Sequence, residues 1–572
     1  MLKKDQFDES YTIKAQQFPT ERMCVMENIT RRNFVAGTGA AAAALSVPIA
    51  LADEPAQKPV TGMAACDNGK KYSFYEPIPG HVAFEAGPIP EDLVAEIIDT
   101  DIVVVGSGMA GAATALACAD AGLKTVIFEK NESFTFRGSE IGCLNGEFVV
   151  SQGGVFDEEL YYNEAMNLGQ YRVNPNVWRA WIANCGKAVD WLLGTLGDAV
   201  TPYLNIGENG ECIVETGGLY SFRDQVRFKE GIFGCGSAII EAAIEKGADY
   251  RTLTPGVQLI TDESGAVIGI YAKDLATEKY IRANVSKGVV LCTGSYENNF
   301  ELMREYIAPQ DLVTACWRLN TQENTGDGLL MAQAIGAGVD DYPHVLMRDD
   351  AGSVKAHDVN RALFLPWPRV NESGLRFINE SIATCYMANA VSAQAGAHDW
   401  ALYCAPDGLD ALVDQVPYTT CTLSIGGYKP EQVVELLERD AEVYDTIDEM
   451  AEDLGIDAAN LKATIARLQE LYEAGEDLDW HSDPGYLMDW SHGPYYAVEE
   501  AGAPMVIVSG LTINEKSEVL TPEGAVIPGL FAVGNASGSM FAGTYPHVLN
   551  GISHGRCVTF GYMLAQRLSG KA

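Results

Sequence analysis

Short apolar runs, each ending in a glycine-containing turn, recur along this chain of 572 residues. The run Ile102–Val105 ends in the turn Gly106–Gly111, and an alanine-rich helical pattern then continues to about Ala121. A second apolar run, Thr125–Phe128, ends in Glu129. Buried strands that alternate with helices in this way predict an α/β fold built on a parallel sheet.

Three later stretches have the same form. Residues 288–299 are an apolar strand that runs into Thr293 and a glycine, and residues 324–338 are a glycine–acid turn that opens a helix. Residues 527–539 are a short strand that ends in a glycine and Asn535. Ligands collect where such strands meet helix starts. Segments so far apart predict a long ligand held inside one discontinuous domain.

The first glycine turn carries the chemistry of a dinucleotide site. Gly106 allows the tight turn, Gly108 lets the backbone approach a pyrophosphate, and Gly111 lets helix and strand pack closely. The helix N-terminus attracts phosphate, and Glu129 can accept hydrogen bonds from ribose hydroxyls. The spacing leaves open whether the dinucleotide is FAD or NAD. The predicted cofactor-binding residues of this segment are Gly106, Gly108, Ala110, Gly111, Glu129 and Lys130.

Composition excludes several classes of function. The formal net charge is −39, so the surface repels phosphate backbones and anionic lipid, and nucleic-acid binding is not expected. None of the 13 cysteines is spaced C-x-x-C, which argues against haem attachment and against a ferredoxin-like cluster run. No metal site is predicted. We expect cysteines in apolar surroundings, such as Cys118 and Cys292, to be core thiols.

The N-terminus has the pattern of an export signal. Arg31 and Arg32 are followed by Phe34 and then by an alanine-rich apolar run that ends in Ala50-Leu-Ala52, a small-x-small cleavage site. This order of features predicts a twin-arginine signal over residues 1–52 and an extracytoplasmic location. That route carries proteins already folded, often with a cofactor inside, which favours a redox protein.

The motifs together resemble a known superfamily. They are GSGMAG with Glu129, CTGSYEN, NTGDG, PGLFAVGN and the stretches 370–381 and 510–520. From about residue 98 to the C-terminus the chain is similar to the FAD-dependent fumarate reductase and 3-ketosteroid dehydrogenase flavoproteins. The resemblance implies FAD as the cofactor. It also implies a Rossmann-like FAD-binding domain in two pieces, 98–342 and 507–572, an inserted α+β capping domain at 343–506, and a linker at 53–97.

The resemblance also implies cofactor contacts outside the first turn. Asp327 and Asn535 match FAD-contacting positions, although many relatives have glutamate where this chain has Asn535. Ser139 would lie near the pyrophosphate, in a segment where the usual glycine–glycine–asparagine is altered. Ser553 and His554 would bring the start of the last helix to the flavin, where the helix N-terminus stabilises negative charge on the reduced ring.

Three positions separate this chain from fumarate reductases. Thr384 stands at the position of the arginine that donates the proton there, and Val506 and Val548 stand at two carboxylate-anchoring positions. A dicarboxylate would be left with unpaired charges in a desolvated pocket, which is very costly. We therefore expect a more apolar substrate that is not a dicarboxylate. Arg376 and Glu380, in the neighbouring motif, are expected to form a structural pair.

The last loop is closer to the ketosteroid branch. It contains Tyr545-Pro546 and then Gly551, the positions at which that branch uses a tyrosine hydroxyl and a glycine N–H to polarise a ketone oxygen. A second group must move a proton on the adjacent carbon. The candidates are Tyr386, which matches the branch's base tyrosine only approximately, and His547, Tyr220 and Arg361.

These residues predict an exported FAD-dependent reductase of an α,β-unsaturated carbonyl compound. The two alternatives are a 3-oxosteroid-type dehydrogenase and a catalytically silent flavoprotein that carries electrons. Because no haem or cluster motif is present, electrons must come from a separate partner, and a membrane quinol-linked cytochrome is the expected donor.

Overall fold

The computed structural model describes residues 81–136, 138–206, 211–216, 219–312, 323–355, 358–359, 366–382, 384–406 and 430–571. The predicted export signal at residues 1–52 lies outside the described residues, as does the candidate Arg361.

The described strands and helices, numbered in chain order, have the following bounds. The strands are β1 Val94–Val105, β2 Thr125–Phe128, β3 Ile141–Gly142, β4 Pro202–Leu204, β5 Ile213–Thr216, β6 Leu219–Phe222, β7 Gln225–Phe228, β8 Asp249–Arg251, β9 Gly256–Thr261, β10 Val267–Asp274, β11 Lys279–Leu291, β12 Leu346–Ser353, β13 Asp358–Val359, β14 Arg369–Val370, β15 His398–Cys404, β16 Glu442–Tyr444, β17 Tyr495–Ile507, β18 Glu518–Leu520 and β19 Val526–Ala532. The helices are α1 Met109–Asp120, α2 Glu147–Ser151, α3 Glu158–Leu168, α4 Pro175–Leu196, α5 Gly231–Glu245, α6 Phe300–Tyr306, α7 Asp327–Ala334, α8 Thr384–Ser392, α9 Pro430–Asp440, α10 Ile447–Leu454, α11 Ala458–Ala474 and α12 Ile552–Leu568.

The larger sheet has a parallel centre. Its strand order is β18-β19-β11-β1-β2-β8, and β9 and β10 extend it beside β11. The pairings of β1 with β2 and β11, of β2 with β8, and of β11 with β19 are parallel. This arrangement confirms the predicted α/β fold class. It also brings the carboxyl ends of β1, β2, β11 and β19 to one edge, although β19 is distant in sequence.

Strand β1 is longer than the apolar run predicted. It begins at Val94, which pairs with Tyr280, within the residues expected to be a linker. The first half of β1 is exposed or half-buried throughout, whereas Ile102–Val105 is almost fully buried. Only the buried half has the continuous apolar character that is visible in sequence.

Helix α1 is buried on nearly every face. It packs against the parallel sheet and against α5 and α12, and all its residues from Met109 to Ala119 are buried. Its small alanine side chains allow these close approaches. Cys118 on this helix and Cys292 after β11 are buried as predicted. Burial raises the pKa of both thiols, to about 12 for Cys118, so both are packing thiols rather than nucleophiles.

The second large sheet is antiparallel, with the order β13-β12-β17-β15-β14 and with β16 beside β17. Two buried arginines stabilise the elements around it. Arg369 pairs with Asp399 and Glu500, and Arg376 pairs with Glu380 and Asp477. The predicted pairing of Arg376 with Glu380 is therefore confirmed.

All the strands of this antiparallel sheet lie within residues 346–507, and the chain returns to the parallel sheet with β18 and β19. The proposed boundaries at 343–506 and 507–572 stay a prediction. Among the described residues, no helix combines the length and apolar character that are needed to span a membrane.

Candidate active site

A cavity of about 530 Å³ opens at the carboxyl ends of β1, β2, β11 and β19. Its wall includes Val105, Phe128, Cys292 and Asn535, which lie at or just beyond the ends of these four strands. The volume falls in the range of roughly 300–1,000 Å³ that small-molecule and cofactor sites occupy.

The turn between β1 and α1 forms one part of the wall. Gly106 has φ of +94°, and a Cβ there would come 2.6 Å from the carbonyl oxygen of Cys292. A Cβ on Gly111 would come 1.9 Å from the carbonyl oxygen of Gly106. Gly106, Gly108 and Ala110 line the cavity, whereas Gly111 lies behind the turn and is not part of the wall.

Glu129 lies at the end of β2 with its carboxylate turned toward this turn. One oxygen accepts hydrogen bonds from the Ser107 N–H and hydroxyl, at 2.9 and 2.7 Å, and the other accepts from the Asn131 N–H at 2.9 Å. The acid therefore braces the glycine turn. A carboxylate has about four acceptor positions, so it can still receive a ligand hydroxyl at the cavity wall.

Lys130 and Asp327 also line the cavity but form an ion pair with each other. The Lys130 ammonium lies 3.0 Å from Asp327 Oδ2, and the other Asp327 oxygen accepts from the Ala83 N–H at 2.8 Å. Because both charges have partners, this pair fixes the start of α7 beside the cavity. Any cofactor contact from either residue would add to these bonds.

The N-terminus of α12 forms another part of the wall. Gly551 is its N-cap residue, with φ of +64° and no side-chain cap. Ser553 and His554 in the first turn line the cavity, and so does the exposed Ser139. His554 Nδ1 donates to the Glu140 carbonyl at 3.0 Å, so Nε2 is the acceptor nitrogen. Burial lowers the pKa of His554, which keeps the imidazole neutral.

Tyr545 is buried, and its hydroxyl faces this helix start. The hydroxyl oxygen accepts from the Ser553 N–H at 3.3 Å, and the ring packs on Phe541 and His547 at centroid distances of 5.3 and 5.0 Å. Burial is the main cause that raises the pKa of Tyr545 well above its usual value, while the nearby Arg556 lowers it. The phenol is therefore neutral and keeps its proton for a ligand.

The wall beside Tyr545 is largely apolar. Met347 on β12 and Val506 on β17 are paired in register, and Met505 and Leu549 lie next to them at the cavity. The neighbouring His547 is a polar exception. Its Nε2 donates to the Arg348 carbonyl at 2.9 Å, which fixes the orientation of the ring.

Some predicted residues do not reach this wall. Val548 is buried, and its carbonyl accepts from the Phe222 N–H at 2.8 Å, so the second expected apolar position is filled by Leu549 instead. Tyr386 on α8 is half-buried against the core and is not part of the cavity wall, and the same is true of Tyr220 on β6. A proton-transfer group must reach the reacting atoms. The structure therefore does not support that role for Tyr386 or Tyr220.

The donors of the wall suit a dinucleotide. Residues of the first turns of α1 and α12 line the cavity, and neither helix has a side-chain cap, since both N-cap residues are glycines. Helix N-termini of this kind bind phosphate and other negative charge. Within the described part of the chain, no group of three or more His, Cys, Asp or Glu side chains is placed to hold a metal ion.

Comparison with known proteins agrees with this geometry. Residues 101–552 match the family described as FAD binding domain, and the chain belongs to that family. It is a FAD-dependent oxidoreductase, and the cavity that joins the two helix N-termini is the place where its residues fit FAD.

Two curated relatives and one solved structure show the range of the family. The chain is 25% identical over 514 residues to the Fumarate reductase (cytochrome) of Shewanella frigidimarina, covering 87% of this chain and 82% of the relative. It is 28% identical over 478 residues to the Urocanate reductase of Eggerthella lenta, covering 78% and 71%. The fold is similar, with a TM-score of 0.65 and 19% identity, to the 3-ketosteroid-Δ4-(5α)-dehydrogenase of Rhodococcus jostii RHA1, covering 84% and 99%.

Sequence reasoning missed several residues of the site. Met347, Met505 and Leu549 lie at the cavity because β12, β17 and the last loop pack together, and no local pattern marks them. Arg556 was also missed. The side chain lies fully buried behind Asn535, and a buried arginine in an apolar helical stretch was the one available signal.

Proposed function

We propose that this protein is an exported reductase of an activated C=C bond in an α,β-unsaturated carbonyl compound that is not a dicarboxylate. The observation that carries the proposal is Tyr545, a neutral buried phenol at the cavity whose oxygen is already bonded to the helix N–H of Ser553. A phenol held in this way has one free function, which is to donate its proton in a hydrogen bond to a ligand oxygen.

FAD, when bound, supplies the hydride chemistry of the reaction. Tyr545 would donate a hydrogen bond to the substrate carbonyl, and this bond strengthens as the oxygen gains enolate charge. The Gly551 end of α12 would add positive helix-terminus potential near the same oxygen. A raised pKa favours this role, because the phenol stays protonated at every pH at which the protein is expected to work.

His547 is our candidate for the proton on the adjacent carbon. It lines the cavity, and its ring packs edge-on against Tyr545 at a centroid distance of 5.0 Å. The hydrogen bond to the Arg348 carbonyl holds the ring in one orientation. Replacing His547 by Gln should lower the rate of the protonation step, while the affinity for FAD stays unchanged.

The apolar wall supports a substrate without two carboxylates. Met347, Met505, Val506 and Leu549 supply no donor to a carboxylate, and among the described residues the cavity wall has one cation, Lys130, which is already paired with Asp327. A charged group placed against these side chains would lose its hydration without gaining a partner. Methionine side chains are flexible, so this wall can pack against a flat or alicyclic apolar substrate.

A substrate panel tests the proposal. Reduced methyl viologen serves as donor, and the panel contains cyclic enones, unsaturated lactones, 3-oxosteroids, cinnamates, urocanate and fumarate. We expect reoxidation of the dye with one or more of the neutral carbonyl compounds and little with fumarate. Fast turnover of fumarate would contradict the argument from the apolar wall, and no turnover of any compound would favour a silent electron carrier.

A 3-oxosteroid-type dehydrogenase is the second candidate. It would use the same Tyr545 and Gly551, and the shared fold with a ketosteroid dehydrogenase is in keeping with it. Saturated 3-oxosteroids with an artificial electron acceptor distinguish the two. Dehydrogenation without any measurable reduction would favour this candidate over the reductase.

We further propose that the electrons come from a membrane quinol-linked cytochrome outside the cytoplasm. One curated relative is named Fumarate reductase (cytochrome), which supports a cytochrome as donor for this chain. Replacing Arg31 and Arg32 together by lysine should leave the protein in the cytoplasmic fraction. Unchanged export of that variant would reject the twin-arginine signal.

A further inference from the structure

Arg556 is a buried cation whose hydrogen-bond partners are all neutral. It lies on α12 with about 1% of its surface exposed. Its guanidinium donates to Asn535 Oδ1 at 2.7 Å and to the carbonyl oxygens of Ser537 and Val508 at 3.3 and 3.4 Å. It also stacks on the Phe541 ring at 4.7 Å.

Other buried arginines of the same protein have carboxylate partners. Arg348 pairs with Asp311 at 2.9 Å, Arg369 pairs with Asp399 at 3.2 Å, and Arg376 pairs with Asp477 at 2.7 Å. Within the described residues no carboxylate lies within ion-pair distance of Arg556. The contrast is physically important, because a buried charge without a counter-charge is expensive.

Asp340 is the carboxylate that acts most strongly on the pKa of Arg556, but its oxygens already have other partners. Its carboxylate oxygens accept from the backbone N–H groups of Ser539 and Gly510, at 2.8 and 3.4 Å. Burial raises the pKa of Asp340 to about 7, so it carries only part of a negative charge near neutrality. Arg556 therefore keeps much of its positive charge uncompensated.

Asn535 connects this cation to the cavity. Guanidinium groups only donate hydrogen bonds, so the Asn535 atom bonded to Arg556 is the amide oxygen. The same oxygen is also 3.5 Å from the Ser553 hydroxyl. Arg556 thus fixes the Asn535 amide with its oxygen turned toward the guanidinium. The NH2 group of Asn535 is then the donor available to a ligand. Asn535 is part of the cavity wall.

We propose that Arg556 is a positioning residue that, with Asn535, raises the reduction potential of the bound FAD. The cofactor gains negative charge on reduction, and the buried positive charge behind Asn535 stabilises that form more than the oxidised form. The oriented amide adds a fixed donor on the same side. The missing counter-charge of Arg556 is then supplied by the reduced cofactor, which favours an enzyme that is easily reduced by its partner.

The experiment compares the midpoint potential of FAD in wild-type holoenzyme with that of Asn535→Asp and Arg556→Gln, by equilibration with reference dyes. Asn535→Asp gives Arg556 the carboxylate that it lacks, and Arg556→Gln removes the charge. Each change should weaken binding of reduced relative to oxidised FAD by at least tenfold, which equals about 30 mV for a two-electron couple.

Arg567→Gln is the matched control. Arg567 lies on the same helix, but it is partly exposed and paired with Glu518 at 2.9 Å, so its loss should leave the potential unchanged. Unfolding of the apoprotein gives a second readout. Asn535→Asp should make the apoprotein more stable, because Arg556 then has an ion-pair partner even without FAD, and this variant remains informative if Arg556→Gln fails to fold.

Two results would overturn the inference. One is a midpoint potential for Asn535→Asp so close to that of wild type that binding of reduced relative to oxidised FAD changes less than threefold. The other is a shift in Arg567→Gln as large as the shift in Arg556→Gln. The measurement needs no substrate, so its outcome is separate from that of the proposed reductase activity. A protein that reduces none of the tested compounds could still show the predicted shift.

Discussion

At the scale of single residues, the site depends on which hydrogen-bonding groups already have partners. The oxygen of Tyr545 receives the Ser553 N–H, so its proton remains for a ligand, whereas Glu129 and Asp327 use most of their capacity to hold the protein together. Residues that line one cavity therefore differ in what they can do for a ligand. Two predictions belong to this scale.

Replacing Tyr545 by Phe removes the donor while keeping the ring that packs on Phe541. We expect kcat to fall about a hundredfold, as for the loss of one oxyanion donor, with FAD content unchanged. Steady-state rates with the best compound of the panel measure this. Tyr386→Phe is the matched control, since that hydroxyl is not at the cavity wall. Equal losses in both variants would contradict the role of Tyr545.

Asp340 gives a prediction about pH and stability. Burial raises its pKa from 3.8 to about 7, so between these values the folded state holds a proton that the unfolded state has released. The contribution of this group to stability is full below about pH 4 and is lost as the pH rises toward 7. Asp340→Asn should therefore gain stability relative to wild type between pH 4 and pH 8.

Denaturant unfolding of wild type and Asp340→Asn at pH 4, 6 and 8 measures this difference. The free energy of unfolding of the variant, minus that of wild type, should become more positive as the pH rises. A constant difference across this range would mean that the carboxyl group titrates normally in the folded protein.

At the scale of elements, two glycines with positive φ flank α12, and they differ in what surrounds them. Gly551 at its start and Gly570 just after its end both have positive φ, of +64° and +75°. A Cβ on Gly551 would lie 2.4 Å from the Gly142 nitrogen, whereas a Cβ on Gly570 would have nothing within 4 Å. An alanine would have a strained backbone at both positions, but its Cβ would collide with another residue only at position 551.

Gly570→Ala should cost about 1 kcal/mol of stability, because an L-residue in this conformation is strained. Gly551→Ala should cost clearly more and should lower FAD occupancy, because the helix start must move away from β3. Thermal unfolding and the ratio of flavin to protein absorbance measure the two effects. Equal behaviour of the two variants would show that the contact with Gly142 does not position the helix.

At the scale of the whole molecule, the net charge of −39 governs encounters with electron donors. Cationic donors are attracted to such a surface and anionic donors are repelled, and salt screens both effects. The rate of FAD reduction by reduced methyl viologen, a cation, should fall as NaCl rises from 10 to 500 mM, because the Debye length shortens from about 30 Å to about 4 Å. The rate with dithionite, an anion, should rise over the same range. Parallel trends would exclude long-range steering.

Much of the parallel sheet could be predicted from sequence, because its signals are local. The apolar run before Gly106, the acid at Glu129 and the strand before Asn535 each mark a strand end within a few residues. The residues along the first turn were found in the same way, whereas those at the start of α12 came from the resemblance to known flavoproteins. Tyr386 was not, because a match of position along a helix says little about the direction in which the side chain points.

The sequence by itself determined the α/β class, the glycine turn of the dinucleotide site and the charge of the surface, since each depends on neighbouring residues or on composition. Only the tertiary structure decided which side chains meet at the cavity. Three features depend on strand register and on packing between distant segments. They are the pairing of Met347 with Val506, the position of Leu549 rather than Val548 at the cavity wall, and the charge of Arg556 without a carboxylate partner. Such contacts are long-range, so no local pattern encodes them.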